Sequence, residues 1–248
     1  MKAVFDGGRW LAELPDGAHI PVHDGKTKTF EQRLANPDIE DLFRIPYRAG
    51  PILPVDTVDQ DPGRVRIEAI LAATYGGARV ARQQVRTRFL GHAVRVHRKI
   101  APALARVEQR LARALAADTR VSLFLSRLSG GFAERKIAGT DRVSAHAFGI
   151  AIDLDSSRSD YWRWQRDRPL RWRNHIPQGI VDAFEAEGFI WGGRWYHFDT
   201  MHFEYRPELL DPACRSDVTA ARDSPALQTA AARPQENPTR ASSADGRP

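Results

Sequence analysis

Two short stretches hold most of the residue types that metal and acid–base chemistry needs. The first, "SAHAFGIAIDLD" (144–155), sets His146 and Asp153 at the ends of a run that is otherwise small and apolar. The second, "WYHFDTMHFEY" (195–205), puts Asp199 three residues before His202. Two histidines and one carboxylate, with a fourth position left to water, make the open kind of site that catalytic zinc uses, whereas structural zinc takes four closed ligands. Asp199 then stands where a general base belongs, near a site water without itself being a ligand. A His-x6-Asp spacing recurs by chance in many chains, so spacing alone assigns no metal.

The elements that carry these groups must bring them together. On one unbroken strand His146 and Asp153, seven residues apart, face opposite sides. Gly149 tolerates a turn or bulge, which would leave His146 on a loop and "IAIDLD" as a buried strand with Asp153 at its end. In the second stretch Met201, Phe203 and Tyr205 alternate with His202 and Glu204, so His202 shares a face with Glu204. Around these, apolar spacing predicts a short helix in "GRVRIEAILAATYGG", with Ile67, Ile70, Leu71 and Thr74 on one face and Gly76 and Gly77 as the stop. "APALARVEQRLARALAADT" places Leu104, Val107, Leu111 and Leu115 at helical steps, and "IPQGIVDAFEAEGF" does the same with Ile180, Val181 and Phe184. One or two strands are expected in "VRTRFLGHAVRVHRKI" and another in "VSLFL" (121–125).

The first sixty residues are rich in Pro, Gly and Asp and read as an extended arm with short strands. Beyond about residue 215, Ala, Ser, Thr, Pro and Arg dominate, the composition of a disordered tail. The expected division is therefore 1–62 arm, 63–214 main domain and 215–248 tail, with an α+β domain in which a small antiparallel sheet is packed by helices. The chain of 248 residues is 42% hydrophobic and 27% charged, ordinary for a globular protein. One cysteine, Cys214, excludes an internal disulfide framework. No run reaches the roughly 18–20 apolar residues of a membrane span. The start shows no signal peptide, so an envelope, periplasmic or secreted location requires one that has been removed. A net charge of +6 suits an anionic partner. No RNP, helix-turn-helix or zinc-finger pattern appears, so nucleic acid is not expected as that partner.

"SAHAFGIAIDLD" resembles the SxHxxGxAxD motif of the VanY-like D-alanyl-D-alanine carboxypeptidases and L-alanyl-D-glutamate endopeptidases, and "GFIWGGRWYHFDTMHFEYRP" resembles their closing WGGxW…DxxHFE motif. The likeness spans roughly residues 120–210, and "IAGTDRVSAHAFGIAIDLD" is similar to the branch of that family in which IAGT precedes the histidine. The resemblance implies a hedgehog/DD-peptidase-like fold, one zinc held by His146, Asp153 and His202, Asp199 as catalytic base, and an arginine ahead of the first motif that binds substrate. Many relatives carry that arginine in an SGYR-type segment, whereas this chain reads "SGGFAERKIAGT". Arg135 matches best, with Arg127 and Arg142 as alternatives. The implied substrate is a peptidoglycan stem peptide, cut by a monomer at either the D-Ala-D-Ala or the L-Ala-D-Glu bond.

Plainer readings stand for the neighbouring residues. Ser144 reads as a turn residue, and Asp155 as a cap. His175 and His197 read as surface or supporting groups. Glu204 either orients His202, binds peptide or makes a structural ion pair. "YWRWQRDRPLRW" (161–172) is either a substrate wall or a packed lid of aromatics and arginines. The alternative to an enzyme is a zinc-stabilised module that binds cell wall without cutting it, and the presence of Asp199 argues against that.

Overall fold

The computed structural model describes residues 1–166 and 168–214 of the chain. The expected tail at 215–248 lies outside the described residues. An antiparallel meander opens the chain, with β1 (Lys2–Asp6), β2 (Arg9–Glu13) and β3 (His19–Pro21) in sequence order. Two short helices follow, α1 (Phe30–Ala35) and α2 (Ile39–Phe43), and each begins with a reciprocal capping box, Thr29 with Gln32 and Asp38 with Asp41. A capping box satisfies two otherwise unpaired amides at once, which lets helices this short persist. The Lys28 ammonium is buried among Asp24 (2.9 Å), Asp38 (3.2 Å) and Asp41 (2.7 Å). Leu14, Ile20, Leu42, Val65 and Ile67 form a small apolar cluster beneath these elements.

The central part follows the expected periodicities. Helix α3 spans Glu68–Tyr75 and stops at Gly76, whose φ of 104° is left-handed. Strands β4 (Gln84–Phe89) and β5 (His92–His97) form one hairpin, and α4 spans Ala101–Ala117. Helix α4 buries Leu104, Val107 and Leu111, while Leu115 stays exposed. The stretch 121–125 is not the expected strand. Asp118 caps a 3-10 turn at Thr119–Val121 that runs into a helical turn, α5 (Ser122–Leu125). Val121 and Phe124, three apart, are its buried residues. Three-residue spacing buries both from a helix but on opposite faces of a strand, and burial therefore overrides the β-branched and aromatic composition.

The strand comes slightly later, as β6 (Leu128–Gly130). It joins β7 (Ala151–Leu154), β8 (Phe189–Trp191) and β9 (His202–Tyr205) in a four-stranded antiparallel sheet of order β6-β7-β9-β8. Helix α6 (Gln178–Glu185) lies between β7 and β8 in sequence, and α7 (Pro207–Leu210) follows β9. The main core fills the space between α4, α6 and this sheet with Leu104, Val107, Leu111, Ile180, Val181, Phe184 and Phe203. Phe184 stacks on Phe203 at 3.9 Å between ring centroids, and its own ring meets Phe89 edge-on. Burying each such side chain contributes about 1.5–3 kcal/mol, which makes the sheet a rigid platform. Among the described residues, no helix is long and apolar enough to cross a membrane.

The segment between α2 and α3 ties the N-terminal elements to that platform. Tyr47 donates its hydroxyl hydrogen to Glu185 (2.5 Å) and accepts the Trp191 amide (2.8 Å). The Trp195 indole donates to Pro62 O at 2.7 Å, and the Tyr196 amide to Gln60 O at 3.0 Å. These long-range contacts carry Asp61, Arg64 and Arg66 to the open side of the sheet.

Candidate metal centre

Asp153 and His202 meet because they are directly paired across β7 and β9. His146 reaches them from the preceding turn. Ala145–Phe148 is a 3-10 turn in which the Ser144 hydroxyl accepts the His146 amide, and Gly149, with φ of 70°, ends it. That left-handed residue reverses the chain before β7 and brings His146 back over Asp153, the break in register that the sequence called for. The His97 amide holds the Gly149 carbonyl at 2.8 Å and fixes the turn to β5.

His146 Nδ1 lies 2.7 Å from Gly131 O, which only a protonated Nδ1 satisfies. Its buried Nε2 lies 3.1 Å from Asp153 Oδ2 and has no hydrogen-bond partner among the described residues. His202 Nδ1 lies 2.9 Å from Asp153 Oδ1, and its Nε2 lies 3.4 Å from Glu204 Oε2. Ligand atoms of His146, Asp153 and His202 all fall within 4.8 Å of one another, and all three residues are buried. Gly130 makes room for the set. A Cβ there would sit 3.0 Å from Asp153 Oδ2 and 3.2 Å from His146 Cε1. Two imidazoles gathered on one buried carboxylate, one of them with an unpartnered nitrogen, could hold a metal ion, and two nitrogens with one carboxylate suit zinc. Burial raises the Asp153 pKa, but the two histidines outweigh it and hold the carboxyl well below its usual range. Burial likewise lowers His202, but Asp153 and Glu204 overcome that and bring it up to about 10.

Glu204 is fully buried and accepts a forked pair of bonds from Arg66, with Arg206 Nη1 3.2 Å from Oε1. Those cations hold its carboxyl well below the usual range against the opposing effect of burial. A carboxylate on the far nitrogen of a ligating histidine fixes the ring's tautomer and orientation. Of the three sequence readings for Glu204, its contacts fit the ion pair, through Arg66 and Arg206, and also the orienting role, through His202 at 3.4 Å.

Asp199 sits on the turn before β9. Thr200 anchors that turn through Asp160, and the Trp191 indole donates to Thr200 O at 2.8 Å. The glycine pair before it has a packing cause, since a Cβ on Gly192 would lie 2.5 Å from Asp199 O. The Asp199 carboxyl lines the same cleft as His146 and His202, and its buried Oδ1 has no partner among the described residues. Burial pushes this carboxyl up, the nearby charges of His202 and Arg135 pull it back, and it comes to about 7. An acid poised near neutrality both takes and returns protons.

The cleft holds about 100 Å³ and is also lined by Arg64, Arg66, Arg135, Ser144, Tyr161, Trp162, Trp195 and His197. Arg135 is half exposed, with Nη2 3.5 Å from Asp153 Oδ2, whereas Arg127 and Arg142 do not line the cleft. Asp155 caps the next turn through Ser157, as expected. His175 is exposed and pairs with Asp160 at 2.7 Å. His197 lines the cleft and is held by Asp61, with Nδ1 2.7 Å from Oδ2. The stretch 161–172 combines both readings, with Tyr161 and Trp162 in the cleft wall and Arg64, Arg163 and Arg168 around the Trp162 ring. Sequence reasoning missed Asp61, Arg64 and Arg66. The only signal for the arginines is their i, i+2 spacing in "GRVRIE", which puts them on one side of an extended chain.

A buried His–Asp–His set that could hold a metal ion lies on a small antiparallel sheet, beside a carboxylate with an unpartnered oxygen. The model of the D-alanyl-D-alanine carboxypeptidase family matches residues 138–205, which contain His146, Asp153, Asp199 and His202, and this bears out the VanY-like resemblance. The match supports a zinc peptidase of the D-alanyl-D-alanine carboxypeptidase type. No curated protein and no solved structure matches the chain.

Proposed function

We propose that this protein is a zinc metallopeptidase that hydrolyses peptidoglycan stem peptides, with His146, Asp153 and His202 as the metal ligands and Asp199 as the catalytic base. The observation that carries this reading is the unpartnered His146 Nε2 facing Asp153, with the unpartnered Asp199 Oδ1 in the same cleft. The domain at 63–214 is read as hedgehog/DD-peptidase-like, with the N-terminal arm and the C-terminal tail as additions and a monomer as the working unit.

Zinc bound by these ligands supplies Lewis acidity, which polarises an amide carbonyl and acidifies water. The protein's own groups do the rest. Asp199 in its ionised form takes a proton from the water that attacks the scissile carbonyl. The same carboxyl then hands that proton to the departing amine, so its charge is restored at the end of the cycle. A carboxyl poised at about 7 suits both halves of that exchange. Glu204 holds the far side of His202. Arg135 orients the peptide through a carboxylate, with which a guanidinium makes two parallel hydrogen bonds. Tyr161, Trp162 and Trp195 wall the cleft and limit water around the reacting bond.

Such an enzyme works in the cell envelope or outside the cell. The test is digestion of purified peptidoglycan and of a soluble stem pentapeptide by the zinc-loaded chain, with products weighed by mass spectrometry. Release of D-alanine assigns carboxypeptidase action, and release of L-alanine from the stem assigns the endopeptidase. Asp199→Asn should lower turnover by about 10²–10⁴-fold, the usual worth of a general base, while leaving zinc content unchanged. Binding of wall fragments without any cleavage would instead select the non-catalytic module.

A further inference from the structure

The stretch 163–173 holds five arginines against one acid, and it directly follows the cleft-wall residues Tyr161 and Trp162. Arg163, Arg166, Arg168, Arg171 and Arg173 are all exposed, and Trp164 among them is 58% exposed. The loop that carries them is braced from within. Leu170 is buried, and the Trp172 indole donates to Gly193 O at 2.8 Å. The Gln165 carboxamide closes the loop on itself, donating to Arg171 O at 2.7 Å and accepting the Arg171 amide at 3.1 Å. The Arg163 and Arg168 guanidinia come within 5.0 Å and 5.9 Å of the Trp162 ring centroid, so positive charge from separate parts of the loop gathers in one place.

Like charges held together on an exposed loop repel one another, and among the described residues no acid pairs with Arg166, Arg171 or Arg173. The uncharged polar groups of the loop are already used. Gln165 is spent on Arg171, and both ends of the Asn174 carboxamide are spent on Ile176, at 2.9 Å and 2.8 Å. His175 is paired with Asp160. The loop therefore presents guanidinia and an indole, with no free carboxamide among the described residues to read sugar hydroxyls or base edges. A partner recognised by charge and by an apolar boundary fits such a surface. Anionic lipid headgroups attract clustered arginines, and tryptophan favours the level of the headgroups.

We propose that the loop at 163–173 docks on an anionic phospholipid bilayer, with Trp164 at the headgroup level and the five guanidinia on lipid phosphates. Docking there holds the cleft close to the bilayer, because Trp164 meets Tyr161 of the cleft wall edge-on at 5.7 Å between ring centroids. The surface lies outside the metal set, and the inference does not depend on the peptidase reading.

The experiment sediments the full chain with vesicles of phosphatidylcholine alone or of phosphatidylcholine mixed with phosphatidylglycerol. The chain should sediment with the mixed vesicles and not with the neutral ones, and added salt should weaken the binding. A basic residue near an anionic leaflet is worth roughly fivefold in affinity, so a chain carrying Arg166→Gln, Arg171→Gln and Arg173→Gln should bind about 100-fold more weakly. Its salt dependence should also be shallower. Trp164→Ala should weaken binding while leaving the salt dependence as steep as in the wild type. A control chain carrying Arg79→Gln, Arg82→Gln and Arg86→Gln loses the same charge from other exposed positions and should bind nearly as tightly as the wild type. Melting temperatures show that each variant keeps its fold. Equal losses in the two triple variants would make the attraction one of net charge and overturn the docking loop. Sedimentation with neither kind of vesicle, or loop-dependent binding only to inorganic polyphosphate or duplex DNA, overturns the bilayer as the partner. Zinc content and peptide cleavage are measured separately, so either failure leaves the peptidase reading intact.

Discussion

Asp61 and Asp153 are both buried carboxylates flanked by histidine and arginine, one in the segment that ties the N-terminal elements down and one at the centre of the sheet. Asp61 is fully answered by donors, namely the Arg64 guanidinium, the His197 amide and His197 Nδ1. Asp153 faces His146 Nε2, which has no hydrogen-bond partner among the described residues, while His146 Nδ1 is bound to Gly131 O. The first arrangement is closed and needs nothing further. The second is open and could take a cation. Residue type does not separate a clamp from a metal site. What separates them is where each histidine's second nitrogen is spent.

Removing a histidine from each region should give the largest contrast. His202→Ala takes away one of the three proposed ligands and should leave the purified chain with little or no bound zinc by elemental analysis, whereas His197→Ala should keep about one zinc per chain. Comparable zinc in both variants would mean that the two regions are not different in kind. A smaller effect tests the support behind the ligand. Glu204→Gln weakens the acceptor on His202 Nε2, and loss of such a partner typically costs 10–100-fold in metal affinity. Competition with a coloured chelator measures this. An unchanged affinity would make Glu204 a structural ion-pair residue for Arg66 and Arg206.

The same contrast explains what could be read from the sequence. His146, Asp153, Asp199 and His202 lie in two short stretches where local rules suffice. Gly149 breaks the register at once, and alternation around His202 sets its face. The helices at 68–75, 101–117 and 178–185 are likewise local, since the spacing of Leu71, Leu104, Val107, Leu111, Ile180, Val181 and Phe184 matches their burial, although Thr74 and Leu115 of the expected faces stay exposed. Arg64, Arg66 and Asp61 depend on Tyr47 and Trp195 docking across more than a hundred residues, and nothing within "DQDPGRVRIE" encodes that. The misplaced strand at 121–125 has the same root. Val121 and Phe124 look like strand residues by composition, and only the surrounding core decides that both must point inward from one helical face.

The smallest expected effect separates the two carboxylates by acid. Burial raises the Asp61 pKa, but the His197 hydrogen bond and the Arg64 charge more than offset it and leave it below the ordinary 3.8. A group whose folded pKa is depressed contributes stability that is fully present above its unfolded value and is lost as pH falls through the folded one. Asp61→Asn keeps the shape and removes the charge, which should cost about 1–3 kcal/mol for bonds to a charged acceptor. The gap in melting temperature between wild type and Asp61→Asn should therefore be constant from pH 8 to about pH 5 and close only below about pH 4. The metal site should respond earlier. Zinc must displace protons from its imidazoles, and His202, lowered by burial but brought up to about 10 by Asp153 and Glu204, holds its proton more tightly than an ordinary histidine. Zinc content should therefore fall in mild acid while the Asp61 clamp is still intact. Thermal scans and metal analysis on the same pH series would show two separate transitions. If the melting-temperature gap closes together with zinc loss, the clamp and the metal site are one cooperative unit, and the closed and open carboxylates do not act independently.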